Sequence, residues 1–181
     1  MRETDVFEDF HMNSTIEVAD QGSVLAYRFE DLMRYHGPGS PGGVAHAFKV
    51  MERALPLLDP KAPVDRREIS VQTAFAGPGA RDGFEMVTRA VTENRYVIDD
   101  ALARPDCGPT RERFVFQLRY RGHSVLVVLR EGYVSEEFLA LARKEERSAG
   151  EESHLTVLKQ QLADRLLASP AAEVYDVADA D

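Results

Sequence analysis

The sequence predicts an α+β protein in which helices pack with a mostly antiparallel sheet. Residues 113–129 alternate apolar and other side chains on both sides of Arg121-Gly122, which is typical of an antiparallel hairpin. Amphipathic helical segments lie on both sides of this hairpin and do not alternate strictly with strands. A long central helix is expected after the segment 36–43, whose two prolines and four glycines end the preceding helix.

Two helices are expected in the first third of the chain. Residues 26–35 place apolar side chains three and four positions apart, which predicts a first helix. The second helix, at 43–55, carries a continuous apolar stripe and is followed by prolines. Residues 1–24 predict no clear element apart from a turn at Gly22.

The remaining elements follow from the same two periodicities, two residues for a strand and 3.6 for a helix. In chain order the sequence predicts a strand at 68–77, a helix at 81–91, a short strand at 96–98, a helix at 136–147 after Ser135, a helix at 152–168 and an edge strand at 174–177. With 181 residues, we expect a single domain over 1–181, with the C-terminal helix and tail at 151–181 as part of it.

Composition excludes several classes of partner. The net charge is −9, and basic residues are interspersed with acidic ones, so no patch for nucleic acid is expected. A single cysteine, Cys107, allows neither an intrachain disulfide nor a zinc site of several cysteines. No signal peptide and no apolar run of about 20 residues is seen, so the expectation is a cytoplasmic protein without a membrane contact.

The segment His36–Gly43 is the most distinctive motif, and it spells G-x-G-x-x-G. A dinucleotide site is not expected, because the preceding segment is amphipathic and Pro38 and Pro41 lack the N–H groups that meet a phosphate. A helix begins after the segment, and helix N-termini attract anions. The sequence therefore leaves two interpretations, a carboxylate or phosphate site near Gly42–Gly43 or a tight connection between helices.

The same segment resembles a motif of the FmdE-like family, whose members are related to a component of formylmethanofuran dehydrogenase. That family has His-Gly-His-x-Cys-Pro-Gly between a short and a long helix, and residues 36–42 read His-Gly-Pro-Gly-Ser-Pro-Gly in the same context. Pro38 and Ser40 stand where the family has its second His and its Cys. Downstream, residues 82–85 look like the family's Asp-Ala-Ile-Gln helix, with Asp82 on the family Asp. The likeness covers about residues 25–181 loosely.

The resemblance implies an accessory or metal-associated domain of a molybdenum- or tungsten-dependent enzyme of one-carbon metabolism. It also implies a homodimer and membership of a larger dehydrogenase complex. Zinc or another transition metal is the expected cofactor, with His36 and His46 as ligands and Cys107 or Asp82 as a third. The loop residues Gly37, Gly39, Ser40 and Gly42 are expected to line the site.

Blander interpretations stay open for each candidate. The sequence favours a packed or interfacial histidine for His46 and an incidental thiol for Cys107 over metal ligands. Asp82 and Glu85 share a helix face, which suits either acid–base work or two acids near a helix N-terminus. Two alternative functions remain: an enzyme that uses the His36 loop with Asp82 on a small anionic substrate, and a pure interaction domain.

Overall fold

The computed structural model of the protein describes residues 14–179. Residues 1–13 and 180–181 lie outside the described part. The prediction that the chain has no signal peptide concerns residues 1–13 and therefore also lies outside it. The described chain is α+β, as the sequence predicts. Its elements are β1 (Ile16–Asp20), β2 (Ser23–Tyr27), α1 (Phe29–His36), α2 (Pro41–Leu58), β3 (Ser70–Thr73), α3 (Pro78–Thr88), β4 (Tyr96–Ile98), β5 (Val115–Tyr120), β6 (His123–Leu129), α4 (Glu136–Arg143), α5 (Ala149–Leu167), α6 (Ala171–Val174) and β7 (Tyr175–Ala178).

The main sheet has five strands in the order β4-β3-β5-β6-β7. Every pairing is antiparallel except β3 with β4, which are parallel and connected through α3. The predicted hairpin is confirmed as β5 and β6. Arg121 and Gly122 both have positive φ, 45° and 82°, which is the two-residue turn that matches the twist of a hairpin.

Helix α2 lies at the centre of the fold. Of its 18 residues, 13 are buried, which a helix achieves only when neighbours cover most of its circumference. It packs against α3, α5 and the strands β5 and β6. Residues that alternate along β5, such as Phe116 and Leu118, belong to the same main core as Phe48 and Met51 of α2.

The opposite face of the sheet has a small core of its own. Val115, Leu126 and Val128 point to this side, where Leu102 and Cys107 from the segment before β5 cover them. The two sets of alternating residues on β5 and β6 thus belong to two separate apolar clusters.

Several predicted boundaries differ from those observed. The first predicted helix began too early, because residues 26 and 27 belong to β2. The hairpin β1–β2 was not predicted, since its strands are short and half-exposed. Helix α3 begins at Pro78 rather than at 81, and α5 begins at Ala149, where Ser148 and Glu151 form a capping box. Among residues 14–179, no helix combines the length and the apolar character needed to cross a membrane.

Candidate anion-binding site

The N-terminal turns of α2 and α3 meet each other. Each helix has proline at its first position. Ser40, the N-cap of α2, makes no side-chain cap bond, and Gly77, the N-cap of α3, has no side chain to make one. The first backbone bonds run from Val44 N to the Ser40 oxygen and from Arg81 N to the Gly77 oxygen, both at 3.1 Å. The backbone N–H groups that precede Val44 in the first turn of α2 and Arg81 in the first turn of α3 have no acceptor among residues 14–179.

Two glycines allow this close approach. A Cβ on Gly79 would lie 2.6 Å from the Ser40 carbonyl oxygen and 2.9 Å from Val44 N. A Cβ on Gly43 would lie 3.2 Å from both the Cα of Gly79 and the N of Ala80. The atoms met are backbone atoms, which cannot rotate away as a side chain can. Only a residue without a Cβ lets the two helix ends come this close.

A cavity of about 480 Å³ opens beside the paired helix ends. This volume falls in the range of small-ligand sites, about 300–1,000 Å³. The lining combines the two helix N-termini with aromatic, aliphatic and cationic side chains. It consists of Ser40, Gly42, Gly43, His46, Phe75, Ala76, Gly77, Pro78, Gly79, Pro109, Arg113, Phe114, Phe138, Leu139, Ala142, Arg143, Lys159 and Leu162.

The charge of this lining is opposite to that of the chain. Among residues 14–179, Arg113, Arg143 and Lys159 line the cavity, and no Asp or Glu does. The chain as a whole carries 31 acidic and 22 basic residues. The first turns of α2 and α3 contain no acidic residue either, although that is where acids are usually favoured.

The three cations are only partly engaged by the protein. Arg113 forms an exposed ion pair with Asp100 at 2.6 Å, and Arg143 lies 3.9 Å from Glu112. Lys159 Nζ donates to the Gly39 carbonyl oxygen at 3.1 Å. Exposed ion pairs contribute little, about 0–1 kcal/mol, so these side chains remain available to an anion at small cost.

His46 lies fully buried in the wall of the cavity. Its Nδ1 is 2.7 Å from Tyr175 Oη, while its Nε2 has no hydrogen-bond partner among residues 14–179. Phe75 and Phe114 pack on the imidazole with ring centroids at 5.8 and 4.6 Å. Burial lowers the pKa of His46 from 6.5 to about 3, so the ring is neutral at physiological pH.

His36 and Asp82 form a second polar group. His36 Nδ1 lies 2.7 Å from Asp82 Oδ2, and Arg81 reaches the other carboxylate oxygen at 3.3 Å. His36 ends α1, where Gly37 with φ 86° turns the chain away, and Asp82 lies in α3. Neither His36 nor Asp82 lines the cavity.

The four candidate metal ligands do not converge. Only His36 and Asp82 are in contact, while His46 is bonded to Tyr175. Cys107 packs on the opposite face of the sheet, with its Sγ 3.9 Å from Asp106. Within residues 14–179 no group of three His, Cys, Asp or Glu side chains has the arrangement of a metal site. These residues therefore do not fit a zinc site, which needs three protein ligands at least.

Glu85 does not form a pair of catalytic carboxylates with Asp82 but stabilises the backbone after α3. Its carboxylate accepts the backbone N–H groups of Val91 at 2.8 Å and Thr92 at 3.0 Å, which fixes the turn after α3. Burial by itself raises the pKa of Glu85, but the hydrogen bonds from Thr92 and Val91 bring it below its ordinary value.

Neither a protein-family model nor a curated protein matches this chain.

The sequence pointed to part of the cavity and missed the rest. Of the loop residues singled out from the sequence, Ser40 and Gly42 line this cavity, whereas Gly37 and Gly39 do not. The second helix start, Gly77-Pro78-Gly79, carries a readable signal because it repeats the Pro-Gly of residues 41–42. The three cations come from separate segments, and nothing local in the sequence marks them as neighbours.

Proposed function

We propose that this chain is a binding domain for a small organic anion, which it holds in the cavity beside the N-termini of α2 and α3. The observation that supports this most directly is the lining: the described part of the chain contributes three cationic side chains and no carboxylate to it, although the net charge of the chain is −9. Such a cavity concentrates anions and disfavours cations.

A bound anion would stabilise the contact between the N-termini of α2 and α3. Each helix N-terminus carries the equivalent of about half a positive elementary charge, so two ends in backbone contact repel each other. No acidic side chain in either first turn offsets this repulsion. A bound carboxylate offsets it and also accepts the N–H groups that have no acceptor within residues 14–179.

The apolar part of the lining favours an organic acid over a bare inorganic ion. Phe75, Phe114, Leu139 and Leu162 border the same cavity as the cations. A ligand with a carboxylate at one end and an aromatic or aliphatic body at the other buries both parts favourably.

The resemblance to the FmdE-like family remains a proposal that is compatible with this function. His36 and Asp82, two positions that match the family's motifs, are 46 residues apart in the chain and in direct contact in the fold. The homodimer and the larger dehydrogenase complex stay predictions of the resemblance, and light scattering of the purified chain tests the first of them.

An enzyme is the alternative that the His36–Asp82 pair favours. A carboxylate that holds Nδ1 of a histidine orients the ring and leaves Nε2 for proton transfer, and Nε2 of His36 has no partner among the described residues. We favour binding over catalysis because neither side chain lines the cavity. A transition metal at His36 also stays a prediction of the sequence, and its ligands would have to include groups other than His46 and Cys107, which lie elsewhere in the fold. Stoichiometric metal that is lost in His36→Ala supports it, and a metal-free protein with unchanged stability in that variant rejects it.

Thermal unfolding with phenylacetate, formate and inorganic phosphate tests the proposed function. A ligand that binds only the folded state raises the melting temperature with concentration. We expect phenylacetate to do so, and Lys159→Met to remove most of the effect. Lys144→Met is the matched control, because Lys144 is exposed and lies outside the lining. The proposal fails if none of the three anions stabilises the protein, or if both variants respond as the wild type does.

A further inference from the structure

We infer that the ligand carries two hydrogen-bond acceptors, a carboxylate for the helix ends and an uncharged carbonyl oxygen for His46, on an aromatic body. An aryl oxo acid has this chemistry. The inference rests on the proposed function and specifies the ligand class of the same cavity. It follows from the hydrogen-bond pattern of the buried His46–Tyr175 pair, which fixes what the imidazole offers to a ligand.

The position of the proton on His46 follows from counting buried polar groups. If Nδ1–H donated to Tyr175 Oη, the phenol proton would have no acceptor within residues 14–179, and Nε2 would also be unpaired. If Tyr175 instead donates to Nδ1, the phenol is satisfied and a single group, Nε2–H, is left over. Unsatisfied buried polar groups cost free energy, so the second arrangement is favoured. Burial raises the pKa of Tyr175, so the phenol keeps its proton in either arrangement and the count of unsatisfied groups decides between them.

His46 therefore presents a neutral donor. Its pKa is lowered to about 3 by burial, so the ring does not become a cation at neutral pH. A neutral donor in an apolar wall is complemented by a neutral acceptor, whereas a second carboxylate there would be buried opposite an uncharged group. The charged lining side chains, Arg113, Arg143 and Lys159, are donors only.

The spacing along α2 sets the distance between the two acceptors. His46 follows Gly42 and Gly43 by four and three residues, which is about 5 Å along a helix axis. Helical side chains lean toward the N-terminus, so the imidazole lies still closer to the level of the free N–H groups. The carbonyl oxygen is thus expected within a few bonds of the carboxylate.

The aromatic rings around His46 indicate that the ligand has an aromatic group, and they determine how it reaches Nε2 of His46. Phe75 and Phe114 stack on each other at 4.6 Å and both line the cavity. They also cover the imidazole, whose Nε2 is shielded from bulk water. A ligand reaches Nε2 only if one ring moves, and we expect that ring to be Phe75, because it is only half-buried. An aromatic ligand would replace the contact that this shift removes.

A matched pair of ligands tests the inference. Benzoylformate and phenylacetate share the ring and the carboxylate and differ in one group, a carbonyl against a CH₂. We expect the wild type to bind benzoylformate about 3- to 10-fold more tightly by calorimetry, which is the worth of one hydrogen bond. His46→Phe should bind both acids with equal affinity, because it keeps the apolar ring and loses the donor.

The outcomes separate this inference from the proposed function. If neither acid binds, the proposed function fails. If phenylacetate binds as tightly as benzoylformate, the site stands and the role of His46 is overturned. Nitrogen-15 NMR of the imidazole supplies a test that does not depend on a folded variant. A proton on Nε2 of His46 supports the inference, and a proton on Nδ1 contradicts it.

Discussion

The backbone of Gly79 lies against Ser40, so closely that a Cβ on Gly79 would be 2.6 Å from the Ser40 carbonyl oxygen. This contact joins the first turns of α2 and α3 and brings two positive helix ends to the same cavity. The geometry of the proposed site thus depends on the absence of a side chain at Gly79, and to a lesser degree at Gly43.

Gly79→Ala should destabilise the protein by about 1–3 kcal/mol, measured by urea unfolding. Helix propensity alone favours alanine over glycine by about 1 kcal/mol, so a net loss reports the clash with Ser40 and Val44.

Gly39→Ala is the control in the neighbouring loop. A Cβ there meets nothing within 4 Å, and φ is outside the left-handed region. The free energy of unfolding of the Gly39→Ala variant should rise by up to about 1 kcal/mol, because alanine restricts the conformations of the unfolded chain. Equal effects of the two substitutions would show that the contact at Gly79 is not tight.

Arg66→Lys should cost about 1–3 kcal/mol of stability, because lysine cannot reproduce the planar fork of arginine. The buried guanidinium donates to the carbonyl oxygens of Met86 at 2.7 Å and Val87 at 2.8 Å, at the end of α3. Chemical denaturation measures the change. Arg130→Lys is the control, since Arg130 is exposed and pairs with Asp176 alone among residues 14–179, and it should stay within about 0.5 kcal/mol of the wild type.

His46 should make stability fall on acidification. The pKa of His46 is lowered to about 3 in the folded protein, whereas the unfolded chain takes up the proton near 6.5. Between these values the unfolded state binds more protons, so stability declines as pH falls, by at most about 1.4 kcal/mol per pH unit. The difference between wild type and His46→Phe, measured from pH 7 to 4.5, removes the contribution of the other groups. Parallel pH profiles of the two proteins would contradict this assignment.

Local periodicity explains which parts of the fold were predictable. The hairpin β5–β6 combines strict alternation with an X-Gly turn, and both signals lie within one segment. The hairpin β1–β2 uses the same turn, with Gln21 and Gly22 at positive φ, but its strand β2 leaves Val24 58% exposed and shows no apolar side. Its pattern was therefore too weak to separate from a helix.

The site required long-range information that one sequence does not hold. His36 and Asp82 were both singled out, but their contact depends on how α1 packs on α3. Lys159 joins the cavity because α5 packs across α2 near Gly42, where a Cβ would meet the Leu162 side chain at 2.9 Å. Helix packing, rather than any motif, thus brings Lys159 to the cavity, while Arg113 reaches it from the segment before β5.

Ser40→Asp should stabilise the protein and abolish anion binding. Ser40 is the N-cap of α2, makes no side-chain cap bond and lines the cavity. A carboxylate at this position can accept the free N–H groups of the first turn and offset the two helix dipoles, for a gain of about 0.5–2 kcal/mol. It also occupies the place proposed for the ligand carboxylate, so phenylacetate should no longer raise the melting temperature.

Ser40→Asn separates the effect of charge from that of capping. Asparagine has the same shape and caps helices about as well, but it carries no charge. We expect it to stabilise the protein less than Asp, because it leaves the repulsion between the helix ends in place, and to retain part of the response to phenylacetate. If Asn and Asp act alike on stability and on ligand response, the convergence of two positive helix ends is not what attracts the anion.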